Sequence, residues 1–188
     1  MDYIFNRVNE ATQWNNHLPL LYLALEQTKT GDVVEMGCGD GSTLWLHDYC
    51  LQNNRLLHSF DTSVDWLGKF KHLISSHHSI NHINDWGNTP IDGVSVVLID
   101  HAPGERRYID ANRYKDINGI LVCHDTEEPP CGGNYQWDKA FINFKYFARI
   151  KAKSADGIHN GAWATAVSNT HDMSHWIGQT FGEYTVEA

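Results

Sequence analysis

The chain has 188 residues, with 14 Lys and Arg against 23 Asp and Glu, giving a formal net charge of −9 with histidine neutral. A content of 41% hydrophobic and 20% charged residues is that of a folded globule rather than a disordered chain, and at this length about 70% of the unfolded surface can be buried without a disulfide or metal staple. The acidic balance repels phosphate polyanions and argues against a nucleic-acid partner, although protonating all 12 histidines would turn −9 into +3.

The opening residues carry neither the basic start nor the apolar core of a signal peptide. The longest apolar run, Leu18 to Leu25, is too short to cross a bilayer. Cys38, Cys50, Cys123 and Cys131 form no CxxC pair, so buried thiols in a reducing cytoplasm are expected, with no membrane partner. A helix is predicted from about His17 to Gln27, then a strand over Asp32–Met36, the turn Gly37-Cys38-Gly39-Asp40-Gly41, and a helix from Ser42-Thr43 to about Leu51. Leu56 to Phe60 reads as a second strand ending in Asp61. Thr62-Ser63 then caps a helix with Leu67, Phe70 and Ile74 on one face. Ile80 to Ile83 is a short third strand ending near Asp85. Val94 to Ile99 is apolar on both faces, as a central strand between two helix layers must be. After Asp100-His101 and Pro103-Gly104 comes a helix from Glu105 to about Lys115, then a strand over Gly119–Cys123 ending at His124-Asp125. Pro129 to Tyr135 is a loop, and Trp137, Ala140, Phe141 and Phe144 mark a helix face. Tyr146 to Ala152 and Trp163 to Val167, joined through Gly157 to Gly161, leave no room for a crossover and should pair antiparallel.

The predicted architecture is therefore α/β, a Rossmann-like doubly wound sheet of seven mostly parallel strands closed by an antiparallel hairpin. It forms one domain over 1–188, with a helical segment over 1–30, a core over 31–169 and a tail over 170–188. Ligands in such sheets sit beyond the carboxyl ends of the strands, where strand order reverses. Glu35, Asp61, Asp85, Asp100 and Asp125 stand at or near the first five strand ends.

Three glycines in five residues between a strand and a helix permit a tight turn and a close backbone approach, and the helix start that follows suits an anion. A dinucleotide fingerprint would be GxGxxG, whereas the spacing here is GxGxG. With the acid two residues before the first glycine, Glu35-Met-Gly37-Cys-Gly39-Asp-Gly41-Ser42-Thr43 resembles the first motif of class I S-adenosylmethionine-dependent methyltransferases. Ile99-Asp100-His101-Ala-Pro-Gly-Glu-Arg-Arg and His124-Asp125-Thr126-Glu127 look like a small-molecule or glycan-directed branch. The resemblance spans about Gly31 to Asn169. It implies S-adenosylmethionine as methyl donor, with Glu35, Gly37, Gly39, Gly41, Ser42 and Thr43 around its methionine part. Asp61, about twenty residues past the turn, would accept both ribose hydroxyls, and Asp85 with Trp86 would meet the adenine.

An alcohol acceptor needs a base or a metal to remove its proton. Asp100, His101 and Asp125 are the expected catalytic residues, with Asp100 also bordering the cofactor. His101 reads either as the base or as a histidine hydrogen-bonded in a turn. Catechol-type O-methyltransferases carry an Asp after the fourth strand and an Asp-Asn pair after the fifth. Asp100 and Asp125 match two of those ligands, while Thr126 stands where Asn is expected and His101 follows Asp100 where a lysine base would lie. Oxygen ligands would favour Mg²⁺ or Ca²⁺ over zinc, a preference the nearby histidines weaken. His124 and Arg106 are the expected substrate contacts. Glu105-Arg106-Arg107 reads either as a solvated helix face or as the place where Arg106 or Arg107 meets an anionic group. His17 either borders the cleft or simply starts a helix, and the Pro129 to Tyr135 loop is either a lid or an ordinary surface loop. The pairs His78/His82 and His171/His175 lack the glutamate of HExxH, so a zinc hydrolase finds little support. A nicotinamide-dependent oxidoreductase and a non-catalytic cofactor-binding module stand as alternatives. The oligomeric state stays open, a homodimer included.

Overall fold

The computed structural model describes residues 2–12, 14–127, 135–153 and 160–188. Two helices, α1 (Asp2–Asn9) and α2 (Leu18–Thr28), precede strand β1 (Asp32–Met36); α3 (Thr43–Gln52), β2 (Leu57–Asp61), the single turn α4 (Val64–Leu67) and β3 (His78–His82) follow. The second half contains β4 (Val94–Ile99), α5 (Arg107–Arg113), β5 (Ile120–His124), α6 (Asp138–Phe141), β6 (Tyr146–Lys153) and β7 (Asn160–Ser168). A two-stranded ribbon of β8 (Thr180–Phe181) and β9 (Tyr184–Thr185) ends the chain. The main sheet has the order β3-β2-β1-β4-β5-β7-β6, with β7 antiparallel to both of its neighbours and every other pairing parallel. The expected seven-stranded doubly wound sheet with its antiparallel hairpin is the architecture found. Strand order reverses between β1 and β4, which puts the glycine turn and Asp100 side by side at the switch point.

Strand alternation divides the core. Val33, Leu57, Val96, Leu98, Ile120 and Val122 face α1, α2 and α3, whereas Val34, Met36, Val97, Ile99, Leu121 and Cys123 face α5 and Trp137. All six residues of β4 are buried, as a central strand covered on both sides requires. Arg55, also buried, ties the amino ends of the strands together through Gly31 O at 3.0 Å and Ser95 Oγ at 2.7 Å. Among the described residues no helix is long and apolar enough to cross a membrane, and Cys38, Cys50 and Cys123 are buried free thiols.

Several elements depart from expectation for physical reasons. The predicted helix after Ser63 is one α-turn followed by a 3₁₀ stretch over Gly68–Leu73. Three residues per turn align Leu67, Phe70 and Leu73, which are buried, and leave Ile74 exposed. Strand β3 starts two residues early because its first inward side chain is His78, satisfied by Ser59 Oγ at 2.9 Å rather than by apolar packing. The helix expected from Glu105 opens as a 3₁₀ turn over Gly104–Arg106 before α5. The tail is packed: Trp176, Phe181, Tyr184 and Val186 join the core of α1 and α2, and Glu187 bridges to Arg149 of β6. Most of the Pro129 to Tyr135 loop and most of the Gly157 to Gly161 turn lie outside the described residues.

Candidate functional site

The glycine turn is held from two sides. Gly37 has φ +97°, and a Cβ there would run into the Asp100 carbonyl oxygen, with the Asp100 carbonyl carbon at 2.7 Å. Only glycine accepts both conditions. Beneath the turn, the fully buried Glu35 carboxylate accepts from Ser42 Oγ at 2.6 Å, Thr43 Oγ1 at 2.9 Å and Ser59 Oγ at 2.5 Å. Burial pushes the Glu35 pKa up to about 7 against the pull of those three hydroxyls. At the rim, Asp61 accepts from the amides of Cys38 at 3.2 Å and Ser63 at 2.8 Å, and Trp66 Nε1 donates to Cys38 O at 2.7 Å. The amides of Asp40, Gly41 and Ser42, at the start of the ten-residue α3, have no protein acceptor among the described residues. Gly41 lies under Asn15, whose Cβ would be 2.9 Å from an added Cβ, so the segment before α2 packs directly on the turn.

These contacts correct part of the sequence expectation. Glu35, Ser42 and Thr43 do not reach the groove with their side chains: all three are buried and bonded to one another. Their place is under the turn, which leaves Gly37, Gly39, Gly41 and Asp61 around the opening.

The residues expected around adenine and acceptor separate into two groups. Trp86 is buried, donates through Nε1 to Ala102 O at 3.0 Å and stacks on His101 with ring centroids 4.2 Å apart. His101 has no side-chain exposure, and its Nε2 lies 3.1 Å from Asp110 Oδ2. Burial lowers the His101 pKa although Asp110 opposes the shift. His101 therefore cannot meet an acceptor, and the base reading gives way to the turn reading. Likewise the Trp86 ring face is taken by an imidazole rather than open to adenine. Arg106 is bound to Asp85 at 2.8 Å and Asp110 at 3.0 Å, so it is no free anion contact. Asp85, exposed, is held below the usual carboxylate range by the Gly87 amide and by Arg106.

Asp100, His124 and Asp125 do converge, on a centre that also contains Arg107 and His17. Arg107 spans Asp100 Oδ1 at 3.1 Å and Asp125 Oδ2 at 2.9 Å while donating to His101 O and His124 O. His124 Nδ1 faces Asp100 Oδ1 at 3.4 Å and Asp125 Oδ1 at 3.3 Å, and its Nε2 meets Asn16 Oδ1 at 3.1 Å. Burial alone would push the His124 imidazole down, but the two carboxylates outweigh it and raise its pKa to about 10. Burial would raise Asp100 and Asp125, yet His124 and Arg107 hold both below the usual range. His17 has its ring 4.8 Å from that of His124, and burial followed by that neighbour lowers its pKa to about 3. Asp125 adopts φ +54°, the left-handed region that aspartate enters more readily than most residues.

This arrangement does not fit the Mg²⁺ site expected from Asp100 and Asp125. The position between the two carboxylates belongs to the Arg107 guanidinium. Thr126, in the place of the third oxygen ligand, is buried against Thr165 Oγ1 at 2.7 Å. A dication there would face a fixed positive charge with only two of six oxygens supplied. Arg107 was named in the sequence only alongside Arg106, and the helix start at Arg107 is what selects between them.

The sequence matches no protein-family model, and no curated protein is significantly similar to it. Solved structures do share its fold. The N-methyltransferase NodS from Bradyrhizobium japonicum WM9 superposes with a TM-score of 0.60 at 13% identity, over 83% of this chain and 95% of that one. An O-methyltransferase from Bacillus cereus, in complex with S-adenosylhomocysteine, gives 0.57 at 12% identity over 79% of each chain. A probable spermidine synthase from Corynebacterium glutamicum ATCC 13032 gives 0.63 at 11% identity over 96% and 76%. The fold is that of the class I S-adenosylmethionine-dependent methyltransferases.

Proposed function

We propose that the chain is an S-adenosylmethionine-dependent methyltransferase that modifies an oxygen of a small molecule or sugar in a reducing cytoplasm. The observation that carries this reading is the glycine turn at the switch point, braced by Glu35 and rimmed by Asp61, opening beside the partly exposed Asp100 and Asp125. Three acceptor-free amides and the positive end of α3 suit a carboxylate. Asp61, fixed by two amides, presents its remaining lone pairs to a pair of hydroxyls. S-adenosylmethionine, when bound, supplies an electrophilic methyl group on a sulfonium.

The Asp100 backbone carbonyl packs directly against Gly37, which brings the strand end that carries Asp100 beside the turn. Asp125, with 23% of its side chain exposed, is positioned to accept a hydrogen bond from an acceptor hydroxyl. Its low basicity is sufficient, because a hydroxyl becomes strongly acidic only as the new C–O bond forms, and the proton then passes to the carboxylate late in the transfer. Arg107 and His124 keep the two carboxylates ionised and fixed, and most of the acceleration comes from holding the acceptor in line. The −9 charge supports a partner other than nucleic acid.

Calorimetry with S-adenosylmethionine, S-adenosylhomocysteine and NAD tests the assignment. The first two should bind with one site per chain and NAD should not. Preferential NAD binding would replace the reading with the oxidoreductase one. A turnover screen across sugars, phenols and amines then identifies the acceptor, since this fold serves many.

A further inference from the structure

We propose that His17, Asp100 and His124 form a binding site for a divalent first-row transition metal ion of the zinc class. One donor atom from each residue lies within 4.8 Å of the others. A tetrahedral ion with ligands at about 2.0–2.2 Å needs donors roughly 3.4 Å apart, so small side-chain rotations close the site. The three side chains come from the start of α2 and the ends of β4 and β5, elements that pack directly on one another.

His17 points to a missing ligand rather than to a satisfied core. His17 is 2% exposed, and neither of its ring nitrogens has a hydrogen-bond partner among the described residues. Buried polar atoms in native proteins are satisfied almost without exception, and an orphan costs its full desolvation. His124 Nδ1 faces the Asp100 and Asp125 carboxylates at 3.4 and 3.3 Å, so a bound ion would take the place of its proton. The neighbouring Asn16 determines which His124 nitrogen is free. Its Nδ2 donates to Ala162 O at 2.5 Å, so its Oδ1 is the atom facing His124 and must accept from Nε2–H. Nδ1 is thereby the nitrogen turned toward Asp100. A histidine whose far nitrogen donates to a fixed amide oxygen is the usual outer support of a metal-bound imidazole.

The donor set also selects the ion. Arg107 holds the position between the two carboxylates and shares Asp100 Oδ1 with His124 Nδ1, so Asp100 has its other oxygen, Oδ2, to offer an ion. Two imidazoles and one carboxylate suit zinc, cobalt and ferrous iron far better than magnesium or calcium. The inference stands on these side chains alone and does not depend on the methyl-transfer reading.

The test uses the whole chain, stripped with a chelator and titrated with Co²⁺ in the absence of any nucleoside. One equivalent should bind with visible d–d absorption, be displaced by Zn²⁺ and survive excess Mg²⁺. His17→Gln should weaken Co²⁺ binding at least ~100-fold, and Asn16→Ala about 10-fold or more through loss of the outer support. His171→Ala, at a histidine far from the cluster, should leave it unchanged. If His17→Gln fails to fold, imidazole ¹⁵N spectra of the unaltered protein decide instead. Two histidines shifting together at one equivalent of Zn²⁺ support the site. No stoichiometric Co²⁺ uptake, uptake undiminished in a folded His17→Gln, or unshifted imidazole signals would overturn it and leave His124 as an imidazolium paired with carboxylates. Failure of the methyltransferase reading shows elsewhere, in the nucleoside calorimetry.

Discussion

A pair of glycine substitutions separates the folding role of the turn from its binding role. At Gly37, alanine would have to adopt φ +97°, at about 1–2 kcal/mol. Its Cβ would also displace the Asp100 carbonyl, with the Asp100 carbon at 2.7 Å and His101 Cα at 2.9 Å, an overpacking worth about 1–3 kcal/mol. Gly37→Ala should therefore lose roughly 2–5 kcal/mol, a fall in Tm of roughly 5–15 °C for a chain of this size. At Gly39 the same change meets Ser42 Oγ at 3.4 Å and Gly41 N at 4.0 Å, both ordinary contacts, at a φ open to any residue, so stability should stay within about 0.5 kcal/mol. The new methyl group would instead stand in the groove mouth. Gly39→Ala should weaken S-adenosylhomocysteine binding by at least ~10-fold, about 1.4 kcal/mol. Differential scanning calorimetry measures the first effect and titration calorimetry the second. A Gly39→Ala protein that melts normally and binds the nucleoside with unchanged affinity would refute the placement of the cofactor over this turn.

Asp61→Ala should weaken the same ligand by about 10–100-fold, the worth of hydrogen bonds to a charged acceptor, while Tm moves by only a few degrees; equal affinities would remove Asp61 from the binding site. Glu35 has a folded pKa of about 7 against an ordinary 4.5, so its protonated form is the one folding favours. That contribution is fully present below about pH 4.5 and lost as pH rises through 7, an order of 3 kcal/mol. Urea melts of Glu35→Gln should accordingly gain on the unaltered protein between pH 4.5 and pH 8, and parallel curves would contradict the buried-acid account. Asp110→Asn leaves Arg106 and His101 without their shared buried carboxylate and should cost about 3 kcal/mol or more. Its nucleoside affinity, measured on the folded fraction, should not change, because Asp110 serves the group beside the groove rather than the groove itself.

Legibility in the sequence followed how local each determinant is. Strands β1 and β4 could be bounded to the residue because β-branched runs end abruptly at glycine or aspartate. β3 was harder to bound, since its inward position is a histidine whose partner lies on the adjacent strand. The 3₁₀ stretch after Ser63 defeated an α-helical reading because periods of three and of three or four share the pair Leu67 and Phe70 and diverge only at Leu73. At the site, Asp100 and Asp125 were visible as strand-end acids, whereas the neighbours that decide their chemistry were not. Arg106 and Arg107 differ by one step around a helix, and one faces Asp85 while the other bridges the carboxylates. His17 meets His124 across more than half of the chain, a contact for which no spacing rule exists.

The packed tail has a consequence for how this groove comes into being. Gly182 donates to Asn9 Oδ1 across 173 residues, and Phe181, Tyr184 and Val186 lie in one core with Ile4, Val8 and the leucines of α2. The wall carrying Asn15 and His17 is thus clasped by a segment far away along the sequence. The glycine turn closes through neighbouring residues, whereas its wall is fastened by one of the most non-local contacts in the fold, whose loop-closure entropy must be met first. Loosening the far segment should therefore open the wall while leaving the turn itself formed.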